Sequence, residues 1–510
     1  MGIVIYPPTI DWSYMKQRPQ HLMEQFSRRG YDVLYFNKHS GPGPVVEMLE
    51  RRLFLVRHPA FFLKHLYPRI GSGRKKLYWT SWSKKIPHGR DVFRADVTIY
   101  DCVDDFPDWE PYETEYAPLA DAIVCTADPL YRKISGSLPG KPVYLVPNGC
   151  DWNHFSKALA EKKHTLENLP PASGPKIGYI GAWAPWVDEG WIRKAAEDIP
   201  GAQILIVGPR LREDCGPLGP NVHFLGYRDY ETLPDILAYL DVCIIPFRKS
   251  RITESTNPVK VYEYLAAGKP VVSSDLPEVN KLRPYVHLAS SPEQFVRQIL
   301  ECAASPSGAR QRSLAAKAHS WERRFQEVDR IIRERFPEFY FDKQNAIRME
   351  QFLNWSSQSV PLSGCSVHPY YASRNLYGGG LFVGGPVHPG HAAGYECLLR
   401  AQIPPEFSPS GACYLEFEMP LSGELHLEVS AIAGDWSASE VTYDNQPRHG
   451  TAVRFSILPG VSETLSIDIS PLVNAFWTET GRLPSLHLRS EGGTLIRLSN
   501  PRLTVFIQNN

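Results

Sequence analysis

The segment running from Pro258 to Val272, Pro-Val-Lys-Val-Tyr-Glu-Tyr-Leu-Ala-Ala-Gly-Lys-Pro-Val-Val, constrains the fold more than any other stretch. It reads as an amphipathic helix that opens just after a proline and stops at Gly268, with a short apolar strand directly behind it. A helix feeding straight into a buried strand is one αβ unit of a parallel sheet. Glu263 lies mid-helix, and the helix start at Asn257-Pro258 offers free backbone N–H groups, including that of Val259, to an anion. A carboxylate able to hold a ribose, one or two turns from a phosphate-binding helix end, is what a nucleotide-sugar site requires.

The rest of the chain supplies the sheets around that unit. Residues 1–155 alternate helices with apolar runs at 3–7, 32–37, 52–57, 97–103, 122–127 and 142–147, the βαβα pattern of a doubly wound sheet. A polar connector at 156–174 follows. The alternation then restarts, with strands expected at 176–182, 203–208, 222–226, 242–247 and 270–274. A single long helix is expected from about Gly308 to Phe336. After Lys343 the composition changes: residues 345–510 contain no lysine, nine arginines and fourteen acids. Short alternating strands there, such as Tyr414–Met419 and Glu424–Val429, separated by Gly, Pro and Asn turns, indicate an antiparallel β-sandwich. The expected fold class is α/β with two Rossmann-like domains, 1–155 and 172–319, followed by an all-β domain at 345–510.

At 510 residues the chain exceeds what one core can organise. Zero formal net charge and a pI near 7.3 argue against a duplex nucleic-acid partner, which would draw a basic surplus. Nine cysteines form no CxxC pair, and several lie in apolar strands, which fits reduced thiols in a cytoplasmic protein. The opening Gly2-Ile3-Val4-Ile5-Tyr6 reads as a strand rather than a leader, and no apolar run reaches the ~20 residues of a membrane helix. Peripheral docking on the inner face of a membrane stays open.

Ligands of such folds bind at the carboxyl ends of the strands. Arg210 ends one strand; Arg248, Lys249 and Arg251 follow another. Ser255, Thr256 and Asn257 then lead into the Glu263 helix, so a diphosphate there would meet hydroxyls, amides and cations, Lys260 among them. On its own the loop reads first as a solvated surface segment, and its position just before the Glu263 helix reverses that preference. In the first domain, Arg18 at a helix start can neutralise phosphate or an anionic acceptor, or pair with Asp101 or Asp104; the two readings are balanced. Asp101, Asp104 and Asp105 end a strand and are candidates for orienting acceptor hydroxyls or the reacting sugar, with helix capping as the competing role for Asp105.

Residues 1–340 resemble the GT-B glycosyltransferases of the large retaining family often called family 4, and within it the teichuronic-acid-type branch. The resemblance rests on Gln17-Arg-Pro-Gln-His-Leu22, Tyr100-Asp-Cys-Val-Asp-Asp105 and Val146-Pro-Asn-Gly-Cys-Asp151 with Phe155 in the first domain. In the second it rests on Gly178-Tyr-Ile-Gly181, Asn221–Gly226, Asp241–Pro246 and Pro258–Val272. It implies a nucleotide-diphosphate sugar as donor substrate, no separate cofactor, no obligatory metal, and a glycan or lipid-linked saccharide acceptor in bacterial surface polysaccharide biosynthesis. It also implies donor contacts at Gly181, Ser255, Val259, Lys260 and Glu263, and a final helix at about 320–340 crossing back onto the first domain. Retention is implied too, with the leaving phosphate acting as base and the protein supplying position and charge. Departures are visible. Ser255 stands where the first of two acids is usual, Ala182 replaces an arginine, and Asp188-Glu-Gly190 stands near an expected Lys-Gly, leaving phosphate charge to Arg210, Arg251 or Lys260 and Asp188 free for sugar or acceptor.

Residues 345–510 resemble a DNRLRE-type β-sandwich, a class associated with carbohydrate binding, through Tyr377–Gly384, Cys397–Ala401, Asp435–Pro447, Ile467–Val473 with Trp477, Leu486–Arg489 and Pro501–Val505. Trp436, Trp477, Tyr370, Tyr371 and Tyr377 are candidates for stacking on sugars, and Arg374, Arg400 and Arg489 for pairing with uronate or phosphate. Framework positions make Trp436 and Trp477 core residues first, and Tyr370-Tyr371 the better exposed contact. Two further readings stand beside transfer: a degenerate glycan-binding protein, and a nucleotide-sugar epimerase of GT-B shape.

Overall fold

The computed structural model describes residues 2–70, 73–160, 166, 169, 173–212, 216–340, 352–368, 373–378, 380–384, 394–401, 411–418, 425–433, 436–447, 449–457, 464–490 and 495–508. Tyr370 and Tyr371 lie outside them. The chain divides into two compact units. Met1–Tyr6, Trp12–Val33 and Arg74–Gln344 form one; Pro7–Asp11, Leu34–Gly73 and Asn345–Asn510 form the other.

The first unit holds two parallel sheets. In one, strands Ile3–Tyr6, Lys76–Thr80, Val97–Cys102, Ala122–Cys125 and Val143–Leu145 lie side by side in that order. In the other the order is Val222–Gly226, Gln203–Val207, Lys176–Ile180, Val242–Ile245, Val271–Ser274, Val286–Ala289, all parallel. Numbered along the chain, these six strands run 3-2-1-4-5-6. The topology therefore reverses between Lys176–Ile180 and Val242–Ile245, and the carboxyl ends of that pair are where a doubly wound sheet leaves its crevice.

Strands Lys76–Thr80, Val46–Glu50 and Val286–Ala289 were not among those expected. Lys76–Thr80 follows Arg74-Lys75, and its own sequence carries little period-2 signal; pairing on both edges makes it a strand. The expected long helix is two, Ala309–Lys317 and Trp321–Arg335. Ser320 breaks it, taking an extended backbone and accepting the Arg323 N–H at 3.3 Å, the geometry of an N-cap. The second helix lies on Arg18–Arg29, where Phe325 meets Phe26 edge-on at 4.8 Å and Trp321 stacks on His21 at 5.1 Å.

The second unit is an antiparallel sheet curled into two layers, ordered His449–Ile457, Leu425–Ile432, Ser485–Ser490, Glu396–Ala401, Trp355–Val367, Ile496–Gln508, Ala412–Glu418, Thr464–Asp468. Strand Trp355–Val367 makes the corner. Its first half pairs with Ile496–Gln508 up to Pro361, and from Leu362 onward it pairs with Glu396–Ala401. Alternating apolar residues of both layers, among them Leu399, Leu415, Val429, Leu488 and Val505, fill the space between. Helix Ser470–Thr480 interrupts the strands at a place the all-β expectation did not foresee.

Residues 34–73 are integral to this unit. Gly43-Pro44 pairs with Ser356-Ser357, the Val45 N–H donates to the Trp355 carbonyl at 2.9 Å, and the Ser357 hydroxyl lies 2.7 Å from His58 Nε2. Phe61, 1% exposed, stacks on Phe506 with centroids 4.1 Å apart and also touches Trp355. Lys64 pairs with Asp468 at 2.5 Å. The eight described cysteines are buried free thiols. Among the described residues, no helix is long and apolar enough to cross a membrane.

Candidate functional site

Helix Val259–Ala266 starts at the carboxyl end of the second sheet. Pro258, extended at its N-cap, has no N–H to give, and the Val259 and Lys260 amides have no partner among the described residues. Val261, Tyr262, Tyr264 and Leu265 face inward, and the Tyr264 hydroxyl accepts the Ile180 N–H at 2.7 Å, tying the helix to the innermost strand. Gly268 ends it with φ +72°, in a cramped spot where a Cβ would come within 2.4 Å of Leu159 Cδ2.

Lys260 and Glu263, one turn apart, are the half-buried pair on this helix. Lys260 Nζ donates to the Tyr179 hydroxyl at 2.9 Å and sits 4.1 Å above the Tyr179 ring and 5.0 Å from that of Phe247. Burial lowers its pKa to about 7 against the pull of Glu263. Glu263 has no hydrogen-bond or ion-pair partner among the described residues. Burial raises it to about 7, Lys260 opposes and Asp151 adds to the rise. Gly181, at φ +142°, gives Lys260 its room: a Cβ there would lie 2.4 Å from Nζ. Its N–H is engaged by the Val207 carbonyl at 2.8 Å, so Gly181 contributes clearance rather than an amide.

The loop before the helix is held by the first lobe. Arg251 donates to both carboxylate oxygens of Asp105, at 2.8 and 2.9 Å, and to Glu110 at 2.8 Å. Asp105 also takes Lys133 at 2.8 Å, and these cations hold its pKa below the usual carboxylate range despite burial. The Thr256 hydroxyl faces Asp104 Oδ1 at 3.1 Å, with the Ile252 carbonyl as competing acceptor at 2.7 Å. Asn257 is a pin between the lobes. Its side chain donates to Glu278 and Tyr262 and accepts the Asn148 N–H, while its carbonyl accepts Asn148 Nδ2 at 2.7 Å. Ser255 is buried with no side-chain partner among the described residues.

The three first-lobe acids differ in standing. Asp101 is fully buried, gripped by Arg18 Nε at 2.8 and 3.0 Å and by Trp79 Nε1 at 3.1 Å. Of the two readings of Arg18, pairing with Asp101 is the geometry found; the same guanidinium reaches Pro147 and Asn148 at 3.3 Å. Asp104 meets no cation among the described residues. Burial raises it to about 7, which Asp105 reinforces and the Thr256 hydroxyl opposes. Arg210 is exposed, its guanidinium 3.9 Å from the Phe224 ring, with no ion-pair partner among the described residues. Asp188 caps helix Glu189–Asp198 by accepting the Gly190 N–H at 2.9 Å.

Geometry thus brings Val259, Lys260, Glu263 and Gly181 together at the switch point, and engages Asp101, Asp105, Arg251 and Asn257 in contacts that join elements of the two lobes or fix the first. Sequence reasoning missed Tyr179 and Phe247, the aromatic walls around Lys260, because both read as ordinary strand residues. It also missed Glu278, which accepts from Asn257 and from the Asp128 N–H at 2.9 Å. In the second unit, Trp436 packs beside the Cys365–Val367–Leu398 cluster, whereas Trp477 is half-exposed on its helix.

Comparison with known proteins agrees with this layout. The profile of glycosyl transferases group 1 matches residues 174–305, the lobe carrying Glu263. A Bacillus subtilis protein provisionally named as the teichuronic acid biosynthesis glycosyltransferase TuaH is 26% identical over 279 residues, 48% of this chain and 69% of that protein. Among solved structures, sucrose-phosphate synthase from Thermosynechococcus elongatus superposes with a TM-score of 0.54 at 17% identity, over 66% of this chain and 100% of that one. HepE of Anabaena, in complex with UDP and glucose, does so with 0.50 at 14% identity, over 65% and 99%. These two share the fold. With that GT-B fold, the sequence matches mark the chain as a glycosyltransferase.

Proposed function

We propose that this chain moves a sugar from a nucleotide-diphosphate sugar to a glycan or lipid-linked saccharide, with retention and without a required metal, in the assembly of a bacterial surface polysaccharide of the teichuronic kind. One observation carries the reading: a half-buried carboxylate, Glu263, with no hydrogen-bond or ion-pair partner among the described residues, one turn from two amides equally without partners there and from a half-buried lysine. Glu263 takes the ribose hydroxyls. The Val259 and Lys260 amides, the Lys260 ammonium and the Ser255 hydroxyl meet the diphosphate, and Arg210 lies at the rim. Asp104, the first-lobe acid left without a cation, orients the acceptor hydroxyl; Asp101 and Asp105, through Arg18 and Arg251, hold that strand end in place. Charge stabilisation of the departing diphosphate and alignment of the two sugars supply the rate.

In this division of labour residues 1–155 with the helix from 320 take the acceptor, 172–319 the donor, and 345–510 a saccharide or partner. The work is done in the cytoplasm, with peripheral docking where the acceptor is lipid-linked and no role for nucleic acid. Binding without turnover is the second reading, favoured by Ser255 in place of an acid and by Arg251 being engaged with Asp105 and Glu110. Calorimetry with UDP-, GDP- and TDP-sugars, UDP-glucose first, paired with mass-spectrometric detection of transferred sugar, separates the two. Incubation with UDP-sugar alone tests for epimerisation. Glu263→Ala should lose about 10–100-fold in kcat/KM for donor, the scale of one or two hydrogen bonds to a charged group, with an unchanged circular-dichroism spectrum. Wild-type turnover in that variant would refute the site.

A further inference from the structure

An open depression of about 490 Å³ lies in the second unit, lined by none of the side chains placed above on donor or acceptor (Glu263, Lys260, Ser255, Arg210 and Asp104). Helix Ser470–Thr480 forms one wall, presenting Ser470, Asn474, Trp477 and Thr478, which the 3.6-residue period places on a single face. Asp468 and His65 close the other side.

The chemistry of this lining is specific in kind. The Trp477 ring is half-exposed and stacks on no other ring among the described residues, although burying it would be favourable. The Asn474 amide beside it is exposed and has no partner among the described residues. Thr478 donates its proton to the Asn474 carbonyl at 2.8 Å, which leaves the hydroxyl oxygen as an acceptor. Asp468 is the charged side chain of the described lining, and it is countered: Lys64 lies 2.5 Å from it and the Ser470 hydroxyl also donates to it. His65 faces the Tyr414 hydroxyl at 3.0 Å, and burial, Lys64 and Arg69 depress its pKa while Asp468 opposes, so it is neutral at pH 7.

A free aromatic face flanked by amide, hydroxyl and imidazole groups, with its one carboxylate balanced, suits a ligand with one apolar ring face and a rim of hydroxyls. It offers no unbalanced cation to an anion. We propose that this depression is a binding site for a neutral saccharide unit of a glycan, stacked on Trp477 and hydrogen-bonded by Asn474 and Thr478. The site is independent of the donor cleft and does not rest on the transfer reading.

Saturation-transfer NMR on the full chain tests it, with maltotriose, cellotriose and the N-acetylglucosamine trisaccharide as neutral probes and tri-galacturonate as the anionic one. At least one neutral trisaccharide should give a signal that survives Glu263→Ala. Trp477→Ala should weaken its affinity about tenfold or more, Asn474→Ala less, with tri-galacturonate silent throughout. Trp477→Phe, which keeps an aromatic face and the helix, should retain most of the binding, and this separates a lost contact from a lost fold. Silence from all three neutral probes, equal binding by wild type and Trp477→Ala, or a preference for tri-galacturonate would each overturn the proposal.

Discussion

Phe61 gives the sharpest test of how this chain is put together. It belongs to the segment that follows the first sheet strands, yet its ring lies face to face with Phe506, two residues before the last described one, at 4.1 Å and 17°. Phe61→Ala removes a ring that is 1% exposed, and buried Phe→Ala changes lose about 3–5 kcal/mol. Over a unit of this size each kcal/mol moves the melting temperature by roughly 2–4 °C, so a fall of roughly 6–20 °C in its transition is expected. Phe506→Ala should do much the same. The double variant should be less damaged than the sum, by a coupling of about 0.5–1.5 kcal/mol, because the stacked pair can be lost only once. Urea unfolding of the four proteins, with hydrogen exchange read separately on 57–70 and 500–508, measures that coupling and shows both segments loosening together. Additive effects within about 0.3 kcal/mol, or exchange that changes in one segment alone, would refute the claim that residues 34–73 fold with the C-terminal strands.

Two further outcomes are expected. Glu263 must be ionised to accept from a ribose and Lys260 protonated to meet phosphate; with both near pH 7, kcat/KM for the donor should trace a narrow bell centred there. The acid limb should vanish in Glu263→Gln and the alkaline limb move upward in Lys260→Arg; a flat profile from pH 6 to 8 would sink this. Asp101→Asn leaves the Arg18 guanidinium buried opposite a neutral amide, which should cost about 3–5 kcal/mol of stability; a variant with wild-type melting but no transfer would instead make Asp101 a catalytic group.

Much of this was legible in the sequence. The helix from Val259 and the strand behind it read correctly because proline, glycine and apolar spacing agreed, and Glu263 stood out as the acid among them. What stayed hidden was what the chain does at long range. Arg251 and Asp105 are 146 residues apart, Asn148 and Asn257 109, and nothing local in either sequence announces the partner. The same holds for Lys76–Thr80, whose strand state comes from neighbours on both edges, and for Phe61, whose surroundings come from Trp355, Tyr414 and Phe506. Ser320 shows the reverse: its capping signal was present locally, but a continuous Arg- and Glu-rich pattern on both sides masked the break.

That the stretch 34–73 shares a core with residues beyond 345 also sets the order of events at the ribosome. About 430 residues separate Gly73 from Phe506, so at ~5–20 residues per second the early segment waits roughly 20–90 s for the last of the strands that cover Phe61. Throughout that interval the nascent chain leaves the Phe61 ring uncovered by Trp355, Tyr414 and Phe506. Residues 345–510 are therefore no detachable cassette: removing them would strip the stretch 34–73 of the core it shares.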